Sequence, residues 1–185
     1  MALLVITLPA VARAQAPATL APYQEMKRRG DDLLDARRFA EALAAYDAAY
    51  AADPRPSILY NRGRALEFLA RYPEALDSIR RFSREAPPDI RARVPGLAQL
   101  LAELEARVST LTIQCDVAGA RVLLSGHQIG ICPFAVPISV SAGRHSFEAV
   151  AEGYLPYHRE LTLPGAASAS VRVLLAARDS SALLI

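Results

Sequence analysis

The hydrophobic pattern of this chain changes period near residue 110. Before that point apolar positions recur three and four residues apart, the spacing of a helix with one buried side. Residues 23–36 carry Met26, Gly30, Leu33 and Leu34 on one side, and residues 39–51 carry Leu43, Tyr46 and Tyr50. Asp53-Pro54 ends the second run, because the residue before a proline is pushed out of the α region. Residues 56–69 and 72–85 repeat the design. Residues 89–108 then add an apolar face of Leu97, Leu100, Leu101, Leu104 and Val108. Pro95 kinks this last run or marks a fresh start, since a mid-helix proline loses a hydrogen bond and costs roughly 3 kcal/mol.

Beyond Val108 the pattern becomes short β-prone runs between turn residues. Residues 110–115 form the first predicted strand, leading almost directly out of the helix before it. Residues 122–124 and 129–131 flank Ser125-Gly126-His127-Gln128, a hairpin signal in which Gly126 is free to take positive φ. Residues 135–140, 145–150, 154–163 and 168–175 supply further strands. Within 145–150, Phe147 and Ala149 face one way while Ser146, Glu148 and Val150 face the other. The expected fold class is α+β: N-terminal helical hairpins closed by a capping helix, then a small antiparallel β-sandwich.

The helical part contains an internal repeat. Gly30, Ala42, Tyr46, Ala49 and Pro54 recur as Gly63, Ala75, Ile79, Phe82 and Pro87, an offset of 33, and Glu41-Ala42 recurs as Glu74-Ala75. This resembles the tetratricopeptide repeat, with units at 23–54 and 56–87 in a helical domain spanning 23–108. Two units are fewer than the three usually needed for a continuous core, so 89–108 is read as the cap. The resemblance implies a peptide-binding face on the first helix of each unit: Gln24, Lys27, Asp31, Leu34, Tyr60, Asn61, Arg64 and Phe68. Lys27 and Asn61 match two positions of the clamp that some members use for a terminal carboxylate. Asp31 stands where that clamp has asparagine and would repel a carboxylate, so this particular ligand is rejected. The bland alternative is that these are solvated residues, with Leu34 and Phe68 packed under the cap.

The β part carries a second resemblance. Val117-Ala118-Gly119-Ala120, Arg121-Val122-Leu123-Leu124, Ser125-Gly126, Gly130-Ile131-Cys132-Pro133, Ala142-Gly143-Arg144-His145 and Glu152-Gly153-Tyr154 are similar, in order, to the motifs of the PEGA domain. Two departures stand out: Val117 and Ala118 replace the opening proline and glutamate, and Cys132 replaces a threonine. The resemblance implies a β-sandwich accessory domain of bacterial envelope proteins over residues 109–177, with residues 178–185 as a tail and no catalytic residues to carry over.

The N-terminus fits that compartment. Residues 1–14 are apolar and end in Ala12-Arg13-Ala14, a secretory signal pattern, and 15–22 form a small, proline-containing linker. The apolar run is too short to span a bilayer, and no lipid-anchor cysteine follows it. Two cysteines in an exported chain predict one disulfide, Cys115–Cys132, and the cysteine in place of the family's threonine looks like half of a paired substitution. Two buried thiols, or a metal pair needing further ligands, are the alternatives.

Charge excludes one class of partner. The net charge is +2, and residues 23–108 hold 15 basic and 14 acidic side chains, interleaved rather than clustered. Nothing here favours nucleic acid or an anionic membrane. Searches for H-E-x-x-H, G-x-S-x-G, CxxC and phosphate-binding glycine loops find nothing, and Ser125-Gly126-His127 has no orienting carboxylate. No enzyme activity, cofactor or metal is expected. The leading expectation is an exported protein of the periplasm or cell surface, contacting envelope proteins or peptide segments. The runner-up is a cell-wall glycan module on the sandwich, touching sugar through Tyr154 and Tyr157.

Overall fold

The computed structural model describes residues 21–178. The expected signal at 1–14, most of the linker, and the tail beyond Arg178 lie outside the described residues. Those described form six helices and then seven strands. The helices are α1 Pro22–Asp35, α2 Phe39–Ala52, α3 Pro56–Phe68, α4 Tyr72–Glu85, α5 Pro88–Arg91 and α6 Leu97–Glu105.

Proline occupies the first position of α1, α3 and α5, where its missing N–H loses nothing. The turns inside the two hairpins are built alike. Arg37 and Ala70 take left-handed φ values of 57° and 56°. Arg38 N–H donates to Leu33 O at 2.9 Å and Arg37 N–H to Leu34 O at 2.9 Å. Arg71 N–H to Leu66 O and Ala70 N–H to Glu67 O repeat this 33 residues later, a Schellman ending in each case. Arg38 then pairs with Glu41, and Arg71 with Glu74.

The repeat also governs how the hairpins close. A Cβ on Gly30 would lie 2.6 Å from the Tyr46 ring, and a Cβ on Gly63 would lie 2.5 Å from Ile79 Cδ1. Each first helix therefore seats a large side chain of its partner helix against bare backbone. Tyr46 and Ile79 are fully buried as a result.

The expected cap at 89–108 is two pieces. α5 is a single turn, and α6 restarts after Gly96, whose φ of 77° turns the chain beside Pro95. Leu100 and Leu104 on α6 complete the helical core together with Val108. Val108 itself is no longer helical. It opens β1, two residues before the expected start, because its backbone pairs with Ser141 and accepts the Ala166 N–H.

The strands are β1 Val108–Cys115, β2 Arg121–Leu124, β3 His127–Ile131, β4 Ile138–Ser141, β5 Gly143–Val150, β6 Tyr157–Leu163 and β7 Ala167–Val173. They make two sheets, ordered β4-β1-β7 and β3-β2-β5-β6. The pairing is antiparallel except between β1 and β7, the first and last strands, which run parallel through seven paired positions. A parallel pair needs a long crossover, and here the whole second sheet lies between the two strands in sequence. β4 is shorter than the expected 135–140 because Pro133 and Pro137 hold 132–137 out of the ladder. The β2–β3 turn has φ of 50° at Ser125 and 80° at Gly126, positive at both central positions as a type I′ hairpin requires. Leu111, Ile113, Val122, Leu124, Phe147, Leu161, Val171 and Val173 fill the space between the sheets.

The two halves meet where α4 and α6 contact β1, β4 and the β6–β7 tip. The β6–β7 tip docks on the end of α6, where Ala166 N–H donates to Glu105 O at 3.0 Å and to Val108 O at 2.9 Å. Ala142 N–H donates to Arg107 O at 2.8 Å; within the helical half, Arg80 of α4 pairs with Glu105 of α6 at 2.8 Å.

Candidate functional site

The face of α1 and α3 contains a polar cluster and an apolar groove. In the cluster, Lys27 Nζ donates to Asp31 Oδ2 at 2.7 Å. Asp31 Oδ1 accepts from Tyr46 Oη at 2.9 Å and from Asn61 Nδ2 at 2.7 Å. Burial, and then this bond to a carboxylate, push the Tyr46 phenol well above its ordinary range. Lys27, Asp31 and Asn61 are thus brought together, but their groups are turned on one another. The donors that would hold an incoming carboxylate already hold one. Gln24 sits apart at the start of α1, where its Oε1 accepts the Ala21 N–H at 3.0 Å.

The groove begins where α1 ends. Leu34, Asp35, Arg37, Phe39, Tyr60, Asn61, Arg64 and Phe68 line a hollow of about 560 Å³. Phe68 is 51% exposed, and the other large apolar side chains this open, Ile131, Val136, Leu155 and Leu174, all lie in the β half. Its ring stacks on Phe39 with centroids 4.5 Å apart and planes 13° apart. The Arg64 guanidinium lies 5.2 Å from the same ring and also pairs with Glu67 at 2.8 Å. Phe39, on α2, was not among the residues that the sequence suggested. A signal for it exists: the offset of 33 maps Phe39 onto Tyr72.

A second hollow of about 420 Å³ shares Phe68 as a wall, with Glu67, Tyr72, Glu103, Leu104, Ala106 and Arg107 around it. The repeat explains the recurrence, since Leu34, Asp35 and Phe39 map onto Glu67, Phe68 and Tyr72. Arg107 reaches over the Tyr72 ring at 5.1 Å and donates to its hydroxyl at 2.9 Å. Each hollow therefore sets an aromatic ring beside an arginine: Arg64, paired with Glu67, in the first, and Arg107, bonded to the neutral Tyr72 hydroxyl, in the second. Such walls suit apolar or aromatic groups.

On the β side, Cys115 and Cys132 form a disulfide with Cα atoms 6.1 Å apart. It joins the end of β1 in one sheet to the residue after β3 in the other, tying the two layers. Ser125 finds a histidine, but not His127. Its hydroxyl lies 3.0 Å from His145 Nδ1, while His145 Nε2 lies 2.9 Å from Ser141 O. A carbonyl only accepts, so Nε2 carries the proton and Ser125 donates to Nδ1. The ring thereby links the β2–β3 turn to the β4–β5 turn across the sheets. Tyr154 and Tyr157 are half-buried against the sandwich core, and Tyr157 meets Phe147 edge-on with centroids 6.1 Å apart. Among the described residues no three His, Cys, Asp or Glu side chains converge as metal ligands. No helix among them is long and apolar enough to cross a membrane.

Comparison with known proteins adds one match. No curated protein matches the chain, and no solved structure does. The helical half is a pair of helical hairpins consistent with the tetratricopeptide design, and the match does not extend over it. The β half does match a family: residues 108–177 are similar to the PEGA domain, a non-catalytic module consistent with association with the cell envelope.

Proposed function

We propose that this is a non-catalytic, exported envelope protein whose helical unit, of tetratricopeptide type, receives an extended apolar peptide segment. The PEGA-type sandwich carries that unit and attaches it to another envelope component. The observation that carries the reading is Phe68, half exposed between two aromatic-lined hollows in an otherwise well-filled helical domain. Exposed aromatics in concave surroundings are energetic anchors for partner segments. The Asp31 cluster supports the apolar character of the ligand, because its carboxylate disfavours an acidic group at that end of the face. The Cys115–Cys132 bridge supports an oxidising compartment.

A photo-crosslinking amino acid at position 68, with Ala48 on the exposed side of α2 as control, tests this in cells. Crosslinks to an envelope protein from position 68 and not from position 48 are expected, with both cysteines resistant to alkylation until reduced. A cytosolic protein with two alkylatable thiols and no product specific to position 68 would sink the proposal.

A further inference from the structure

The sandwich carries positive charge that its own fold does not use. In the helical half most arginines are paired with acids, as in Arg28–Glu25, Arg62–Asp47 and Arg81–Glu85. Residues 108–178 hold five arginines, Arg121, Arg144, Arg159, Arg172 and Arg178. Among the described residues none of the five forms an ion pair, and the ion pair of this half joins His158 to Glu148 at 3.8 Å. Two of them, Arg121 and Arg178, line one hollow of about 470 Å³ together with Val150 and Glu152.

Backbone pairing brings these two arginines to the hollow from different strands. Arg121 opens β2, opposite Ile131 of β3 and Val150 of β5. Opposite residues of antiparallel strands share a face, so Arg121 stands between two branched apolar side chains. Ile131 is 53% exposed. Arg178 arrives past the end of β7, where its N–H donates to Gly153 O at 2.8 Å and Ala177 bridges to Tyr154. Val150 ends β5, whose start at Gly143 adjoins the joint with the helices. The hollow is therefore about 23 Å along the strands from that joint, at roughly 3.3 Å per residue.

Its charge and shape select a ligand. Two guanidinium groups and the Glu152 carboxylate leave a single net positive charge, which balances a monoanion and not a phosphate dianion. Asp116 is engaged elsewhere, since both its oxygens accept the Leu175 N–H, at 3.2 and 3.1 Å. A guanidinium fork matches the two coplanar oxygens of a carboxylate. Ile131 and Val150 beside Arg121 suit an apolar group next to that carboxylate. We infer that this hollow holds the terminal carboxylate of a peptide whose last residue is apolar, with Arg121 and Arg178 bonding the carboxylate and Ile131 and Val150 meeting the side chain. This rests on the sandwich being the half that attaches the protein, and it names the chemistry of that attachment.

The test is fluorescence anisotropy of the full chain with a labelled short peptide ending in leucine, as the free acid and as the terminal amide. The acid is expected to bind tighter by on the order of tenfold or more, the worth of one charged hydrogen bond. Arg121→Gln and Arg178→Gln should each weaken it by on the order of tenfold or more. Arg172→Gln, an exposed arginine on the outer face of the other sheet, should leave it unchanged. Circular dichroism checks that all three keep the wild-type fold. Equal binding of acid and amide, no binding of either, or an equal loss from Arg172→Gln overturns the inference. Glucuronate or inorganic phosphate that displaces the labelled peptide as well as unlabelled peptide does overturns the choice of a peptide carboxylate. Pelleting with isolated envelopes tells the two readings apart. Wild type that pellets, with both hollow variants pelleting equally, keeps the attachment and sinks this site; wild type that stays in solution sinks the attachment itself.

Discussion

Gly165→Ala strikes the joint between the two halves. A Cβ at this position would lie 1.7 Å from the Ala106 carbonyl oxygen and 2.5 Å from its carbon, whereas real Cβ contacts stay above 3.0 Å. Both surfaces are backbone, so no rotamer change relieves the overlap. The β6–β7 tip must withdraw by more than about 1 Å, an overpacking of a kind that costs about 1–3 kcal/mol. Withdrawal also lengthens both bonds from Ala166 N–H, to Glu105 O and Val108 O, each worth about 0.5–1.5 kcal/mol net. The expected loss is about 2–6 kcal/mol, a large part of the stability of a domain this size. Urea denaturation followed by far-ultraviolet circular dichroism reads the loss. Amide exchange at Ala166 and Ala142 reads its place: both N–H groups should exchange faster, while the Val122 and Phe147 amides inside the sandwich keep their relative protection. A variant within about 0.5 kcal/mol of wild type, the range of an inert surface change, with Ala166 equally protected would refute the docking argument.

Gly30→Ala and Gly63→Ala make a matched pair in the same denaturation assay. The Tyr46 ring opposite Gly30 is held by its bond to Asp31, and opposite Gly63 both Cδ1 and Cγ1 of the fully buried Ile79 would lie within 2.7 Å of the new Cβ. Each substitution should therefore cost about 1–3 kcal/mol; a cost within about 0.5 kcal/mol of zero at either position would show that the opposing side chain yields. Replacing Cys115 and Cys132 together by serine should cost about 3 kcal/mol for a closure spanning 17 residues, and an unchanged unfolding midpoint would contradict that. Tyr46 predicts an alkaline limit. Its phenol is raised above the ordinary value of 10.0, so its contribution to stability is complete below pH 10 and is lost as pH climbs through the folded value. Absorbance titration should show one tyrosine ionising late, and Asp31→Asn should bring it down; a Tyr46 that ionises with the exposed tyrosines counts against the cluster.

Much of the groove was legible because the helical repeat is legible. The period placed Leu34, Tyr60, Asn61, Arg64 and Phe68 on first-helix faces, and the structure puts these around one hollow. The signal did not extend to Phe39. That residue opens α2 and reaches the groove only because the Schellman turn at Arg37 brings the start of α2 back beside α3. Lys27 and Asn61 were visible as donors, and Lys27–Asp31 is an ordinary four-residue pairing within α1, but the bond from Asn61 to Asp31 crosses 30 residues and no local pattern encodes it.

What the sequence by itself determined is what depends on neighbours in the chain. Helical and strand periods, proline stops, the 33-residue recurrence and glycine turns are all short-range consequences of side-chain shape and backbone freedom. Tertiary structure alone decided which distant pieces meet: the parallel pairing of β1 with β7, His145 rather than His127 beside Ser125, and bare Gly165 against the end of α6. These choices rest on burial and backbone hydrogen bonding summed over whole layers, and that sum exists only once the layers are assembled.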